Sequence, residues 1–131
     1  MKVYIAGAIS GVKDYNAAEF DRVESMLRQQ GDEPFNPLRN DAKMGVKPKD
    51  CVYGSKGNSR RRVLKSDLDY ICDHAEKVVV LANSGKSKGV AAEVATARAL
   101  GIPVVFLRGD KRTRAKSTTK DQQAAERELV E

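Results

Sequence analysis

The chain has 131 residues, 32% charged and 5% aromatic, and carries a net charge of +6. That length predicts one domain. It holds no run of about 18 apolar residues to span a membrane, no signal-peptide cleavage signature, and too few cysteines and histidines, two and one, for an ordinary zinc site. The positive charge is local: eight basic residues and two acids lie between Arg39 and Arg62, and the rest of the chain is balanced. Such a segment is either a solvated loop or a rim that attracts phosphate. Tyr53 is its one aromatic, which argues against stacking on nucleic acid. Cys51 and Cys72 are expected as free thiols of a cytoplasmic protein, with Cys72 packed in the core.

Lys2–Ala6 reads as a strand, and Gly7-Ala8-Ile9-Ser10-Gly11 as the turn after it. Residues 16–30 are expected as an amphipathic helix with Ala17, Phe20, Val23 and Leu27 in one stripe. Asn16 and Glu19 have the spacing of a capping box, and Gly31 is a fitting stop. Residues 33–37 form a second strand, placed at an edge because Pro34 and Pro37 cannot donate to a ladder. From Leu38 to about Gly57 no periodicity is visible, and a long loop is expected.

A second helix is expected from Ser59 to Asp73, with Leu64, Leu68, Ile71 and Ala75 on its apolar face and Val63 at the edge. Val78–Leu81 and Val104–Leu107 read as two more strands. Between them lie a turn holding Ser84, Ser87 and Gly89 and an alanine-rich helix. The order β-α-β-loop-α-β-α-β predicts a three-layer α/β fold with a parallel sheet of four to five strands, ordered 2-1-3-4. The turns Gly7–Gly11 and Asn83–Gly89 then meet at one crevice, with Asn36 nearby. The domain is expected over 1–108, with a basic loop insertion at 39–58. Residues 109–131 would form a charged tail, helical or disordered.

Two acids break the pattern. Glu93 sits on a helix whose only other charge beyond Gly89 is Arg98, and its neighbours three and four residues away are Gly89, Val90, Thr96 and Ala97, none of them a cation to pair with. Position 90 is not Ser or Thr, so a capping box does not explain it. Asp67 falls inside the apolar arc of its helix, between Val63 and Ile71, with Arg60 two turns earlier on the same face. Each alone has an ion-pair or helix-dipole explanation; both beside one crevice point to chemistry. The Gly85-Lys86-Ser87 turn lacks the first glycine of a P-loop, and Gly7–Gly11 lacks dinucleotide spacing. Both turns still offer amides and hydroxyls (Gly7, Ser10, Gly11, Ser84, Ser87, Gly89) suited to a phosphate or a sugar hydroxyl. For Ser87 or Gly89 a plain helix cap fits equally well.

The segments KVYIAGAISG (2–11), FNP (35–37), RRRVLKSDLDYICDHAEKVVVL (60–81) and SKGVAAEVATARALGIPVV (87–105) together resemble the nucleoside 2-deoxyribosyltransferase superfamily. The likeness is to its short bacterial and phage-type members and the related nucleotide N-glycosidases. The resemblance implies a flavodoxin-like fold and cleavage of the N-glycosidic bond of a (deoxy)nucleoside or its 5′-monophosphate, with the sugar passed to water or another base. It implies Glu93 as nucleophile, Asp67 as the group that protonates or positions the leaving base, Tyr4 beside the nucleophile, and Ser87 at the phosphate or hydroxyl end of the sugar. It further implies no metal or organic cofactor and a homodimer or higher homo-oligomer. The chain departs from the family at Ala8, at Ser10 where some monophosphate-specific relatives carry arginine, and at Ser84; Arg60–Arg62 are placed to replace a lost phosphate contact. A non-catalytic nucleotide-binding or sensing module on the same scaffold is the alternative.

Overall fold

Alternation along the first strand builds both faces of the sheet. In β1 (Lys2–Ala6), Val3 and Ile5 point to one face and Tyr4 and Ala6 to the other, and all four are buried. The computed structural model describes residues 1–109; of the tail expected over 109–131, residues 110–131 lie outside the described residues. Four parallel strands are ordered β2-β1-β3-β4, with β2 at Glu33–Phe35, β3 at Lys77–Val80 and β4 at Val104–Phe106. The architecture is flavodoxin-like, with β2 at an edge, where Pro34 leaves no ladder donor missing inside the sheet.

One face is covered by α1 (Ala17–Gln29) through Phe20, Val23 and Leu27, which pack on Val3, Ile5, Val79 and Leu81. The other is covered by α3 (Ser59–Asp73) and α4 (Lys88–Ala99), through Ile71, Val90, Val94 and Ala97 on Tyr4, Ala6, Val78 and Val80. Burial on both faces is what gives β3 its unbroken valine run. Gly7 ends β1 in close quarters: a Cβ there would lie 2.4 Å from Leu81 Cδ1 and 2.8 Å from Phe20 Cζ. Only glycine lets the first turn leave the sheet so near the second.

Four local expectations are corrected. The second strand ends at Phe35, and the stretch expected as a loop from Leu38 is not one throughout: Pro37–Lys43 is a helix, α2, and Pro48–Asp50 a 3-10 turn. Helix α2 starts on two strong signals. The Asn36 side chain accepts from Leu38 N at 3.0 Å, and Pro37 stands in the first turn. Asn16 does not cap α1. Asp14, Tyr15 and Asn16 take left-handed backbone, and the Asn16 amide instead donates to Ala8 O and Asn83 Oδ1, both at 3.0 Å. Glu19 pairs with Arg22 rather than reaching back to close a capping box. Cys72 is exposed on the outer side of α3, and the buried cysteine is Cys51. Leu64 and Leu68 are half-buried, so the most buried stripe of α3 is Val63, Asp67 and Ile71.

Candidate active site

The carboxyl ends of β1 and β3 open into a cavity of about 370 Å³, within the range of roughly 300–1,000 Å³ common for small-ligand sites. Its walls come from the first turn (Gly7 to Ser10), the second turn and the start of α4 (Lys86 to Val90, Glu93), α3 (Arg60, Val63, Leu64, Asp67) and the segment after β2 (Asp41, Cys51, Tyr53). This is the switch point where β1 and β3 are neighbours and the chain departs to opposite sides.

Glu93 is 5% exposed. Tyr4 Oη donates to Glu93 Oε2 at 2.6 Å, a short bond typical of a hydroxyl on a carboxylate. The Tyr4 ring is held from behind by Phe35 and Tyr70, whose centroids lie 5.5 and 6.2 Å away. Among the described residues Glu93 forms no ion pair. Asp67 is 7% exposed, and its Oδ1 has no hydrogen-bond partner among them.

Burial pushes both acids up. The Glu93 carboxyl rises to about 8, with the Tyr4 hydrogen bond and then the charge of Arg60 pulling back and Asp41 adding to the rise. Asp67 rises to about 9, through burial first and then the charges of Glu93 and Asp41, with Tyr4 again opposing. The two titrate as a coupled pair. Tyr4 favours the charged form of both acids and Arg60 that of Glu93 alone, and a charged Glu93 raises Asp67 further, so the first proton leaves Glu93 while Asp67 keeps its own. Tyr4 itself is held well above its ordinary value by burial and then by Glu93 and Asp67.

A third acid completes the group, and the sequence reading missed it. Asp41 on α2 is 2% exposed, lines the cavity, and has an unpartnered Oδ1. Burial raises it to about 6. Basic residues, Arg60, Lys86 and Lys88, line the same cavity. The Tyr53 ring has the Arg60 guanidinium 5.2 Å and the Lys88 ammonium 5.5 Å from its centroid. Arg60 Nη1 also donates to Cys51 O, and Tyr53 N donates to Ser10 Oγ at 2.9 Å. These contacts tie the basic segment to the first turn. Among the described residues no three His, Cys, Asp or Glu side chains are arranged to hold a metal ion.

Of the residues singled out from sequence, Gly7, Ser10, Arg60, Asp67, Ser87, Gly89 and Glu93 line one cavity, and Tyr4 touches it through Glu93. Ser87 Oγ accepts from Val90 N, so it is also the cap of α4. Three others are not on the wall. Ser84 is buried and accepts from Ala8 N, bracing one turn against the other. Asn36 caps α2 and donates to Glu24 and Asp21. Gly11 has φ +77° in open space, serving the turn.

A parallel 2-1-3-4 sheet with acids gathered in a cleft at its switch point defines an α/β protein of flavodoxin-like architecture. Its fold is shared with a 2-deoxyribosyltransferase from the psychrotolerant bacterium Bacillus psychrosaccharolyticus, at a TM-score of 0.60 and 23% identity, over 81% of this chain and 71% of that one. The chain itself belongs to the family described as Domain of unknown function (DUF4406), whose model matches residues 1–106. No curated protein matches it.

Proposed function

We propose that this protein cleaves the N-glycosidic bond of a (deoxy)nucleoside or (deoxy)nucleoside 5′-monophosphate, with Glu93 as nucleophile. The observation that carries the reading is the buried Tyr4–Glu93 hydrogen bond at the cavity wall beside a second buried acid, Asp67. Breaking a glycosidic bond develops positive charge at C1′, which a poorly hydrated carboxylate stabilises and can trap. Glu93 attacks C1′ as the C1′–N bond breaks. The bonding pair leaves with the base nitrogen, and a proton from Asp67 neutralises it. The sugar is then an ester of Glu93. Water attacks C1′ and gives its proton to the Asp67 carboxylate, which returns both acids to their starting states. A second base in place of water gives transfer. Arg60, Lys86 and Lys88 on the wall favour a substrate that carries phosphate.

The test is base release from a panel of nucleosides and 5′-monophosphates, followed by chromatography. Release by the wild type and loss of at least about 10³-fold in Glu93→Ala are expected, the scale of removing a nucleophile. Undiminished release by that variant would overturn the role of Glu93. Nucleotide binding by the wild type without any free base would favour the sensing module.

A further inference from the structure

We infer that Asp41 reads the base, its carboxylate selecting nucleobases that carry an exocyclic amino group over their keto counterparts. The inference rests on the glycosidic reading above and names the substrate class for the same cavity. It starts from an acid with no structural employment. Asp41 is 98% buried in its surroundings, counting from its 2% exposure, and no described residue donates to its Oδ1. It pairs with no cation among the described residues. Asp67 Oδ1 is likewise buried and unpartnered on the same wall. A buried acceptor without a donor costs about 1–3 kcal/mol, so an unpartnered carboxylate on a residue that lines the cavity points to a ligand that brings the donor.

The surroundings of Asp41 say which part of the ligand. Its backbone carbonyl accepts from Val46 N at 3.0 Å, and Val46 packs with Cys51 and Val63 in a small apolar cluster. Cys51, Val63 and Leu64 also line the cavity. This is an apolar stretch of the wall, fit for the faces of a base, whereas the sugar must reach Glu93 and a phosphate is repelled by a carboxylate and drawn to Lys86 and Lys88 at the second turn. With burial raising Asp41 only to about 6, it is ionised near neutrality and offers acceptors alone. A 4-amino pyrimidine or 6-amino purine donates to it. The 4-keto or 6-keto analogue presents an oxygen to an oxygen, and a site built to receive N–H groups rejects such an analogue strongly.

The experiment compares kcat/KM for cytosine against uracil nucleotides, and adenine against hypoxanthine nucleotides, in the wild type and in Asp41→Asn. The amide keeps the shape but offers a donor as well as an acceptor. The wild type is expected to prefer the amino member of each pair by at least 10-fold, and the variant to bring the ratio close to one. Asp41→Ser provides a second reading if the amide disturbs folding, and thermal melts report that. Base release that ignores the amino group, or a ratio unchanged in both variants, overturns the role of Asp41 and leaves that of Glu93 standing. A changed ribose-to-deoxyribose ratio with an unchanged amino-to-keto ratio overturns it too, in favour of sugar contact. Should no nucleoside or nucleotide release its base, the glycosidic reading fails. Calorimetry with free cytosine and uracil on wild type and Asp41→Asn then decides the inference alone: equal affinities end it, and a cytosine preference lost in the variant upholds it.

Discussion

The chain buries acids in two places and treats them oppositely. Glu24 on α1 is 5% exposed, yet surrounded by donors: Arg39 Nε at 2.6 and 2.8 Å from its two oxygens, Asn36 Nδ2 at 3.2 Å, and Arg28 Nη2 at 3.7 Å. Glu93, Asp67 and Asp41 are as deeply buried, and among the described residues none of them forms an ion pair. Helix α2 separates the two treatments within two residues. Arg39 reaches Glu24 on the α1 side, and Asp41 enters the cavity. A paired buried acid ties elements together; an unpaired one costs stability and is retained where a ligand or a reaction needs it. Burial alone therefore does not mark a site. Burial without a compensating cation does.

The largest expected break in this contrast is Asp67→Asn. Removal of the leaving-group acid lowers kcat by about 10²–10⁴-fold with substrate binding retained, measured by single-turnover base release. The same change should stabilise the fold, by about 1–3 kcal/mol at pH 8, because it removes a carboxyl that the folded state must keep protonated where the unfolded chain would ionise it. The folded state holds the Asp67 and Glu93 protons more tightly than the unfolded chain does, with values raised to about 9 and about 8. Their contribution to stability is complete below the ordinary carboxyl range near pH 4 and is lost as pH rises through the folded values. Thermal melts from pH 5 to 9 should show the wild type losing stability with pH and the variant losing less. A wild-type melting temperature that rises over this range would contradict the unpaired state of these acids.

The paired region predicts the reverse. Glu24→Gln leaves Arg39 without its carboxylate and should destabilise the fold by about 1–3 kcal/mol, read as a fall in denaturant midpoint. The Arg39 side chain is exposed, and solvent screening keeps the effect toward the lower end of that range. Base release per folded molecule should stay within about twofold. A large loss of turnover at full stability would join this region to the site and erase the distinction.

The sheet and two of the three acids were legible because periodicity carried them. The alternation in Lys2–Ala6 and the valine run of β3 fix the sheet faces, and Asp67 and Glu93 stand out as charges inside apolar helical arcs. Asp41 was hidden because α2 has seven residues and few apolar ones, too short for a 3.6-residue period to show. The usable signal was Asn36-Pro37, a cap followed by proline at the helix start. That asparagine was instead assigned to the crevice, since its position after β2 suits either role. Ser84 and Asn16 were misjudged for a related reason. Each bonds a turn distant in sequence, Ser84 to Ala8 and Asn16 to Ala8 and Asn83, and no local pattern reports such a bond.

The smallest expected effect is the most specific. Tyr4→Phe keeps the ring against Phe35 and Tyr70 and removes only the hydroxyl that donates to Glu93. Loss of one hydrogen bond to a charged group costs about 1.5–3 kcal/mol at most, so kcat should fall by about 10- to 100-fold with KM little changed. The pH profile carries the sharper readout. The Tyr4 hydrogen bond lowers the Glu93 value, so without it Glu93 ionises later, and the rising limb of the rate against pH should move to higher pH. The falling limb, set by Asp67, should follow in the same direction because Tyr4 also lowers that group. A profile that stays in place while kcat falls would mean that the hydroxyl orients the carboxylate without tuning its charge, and the ionisation of Glu93 would then rest on Arg60.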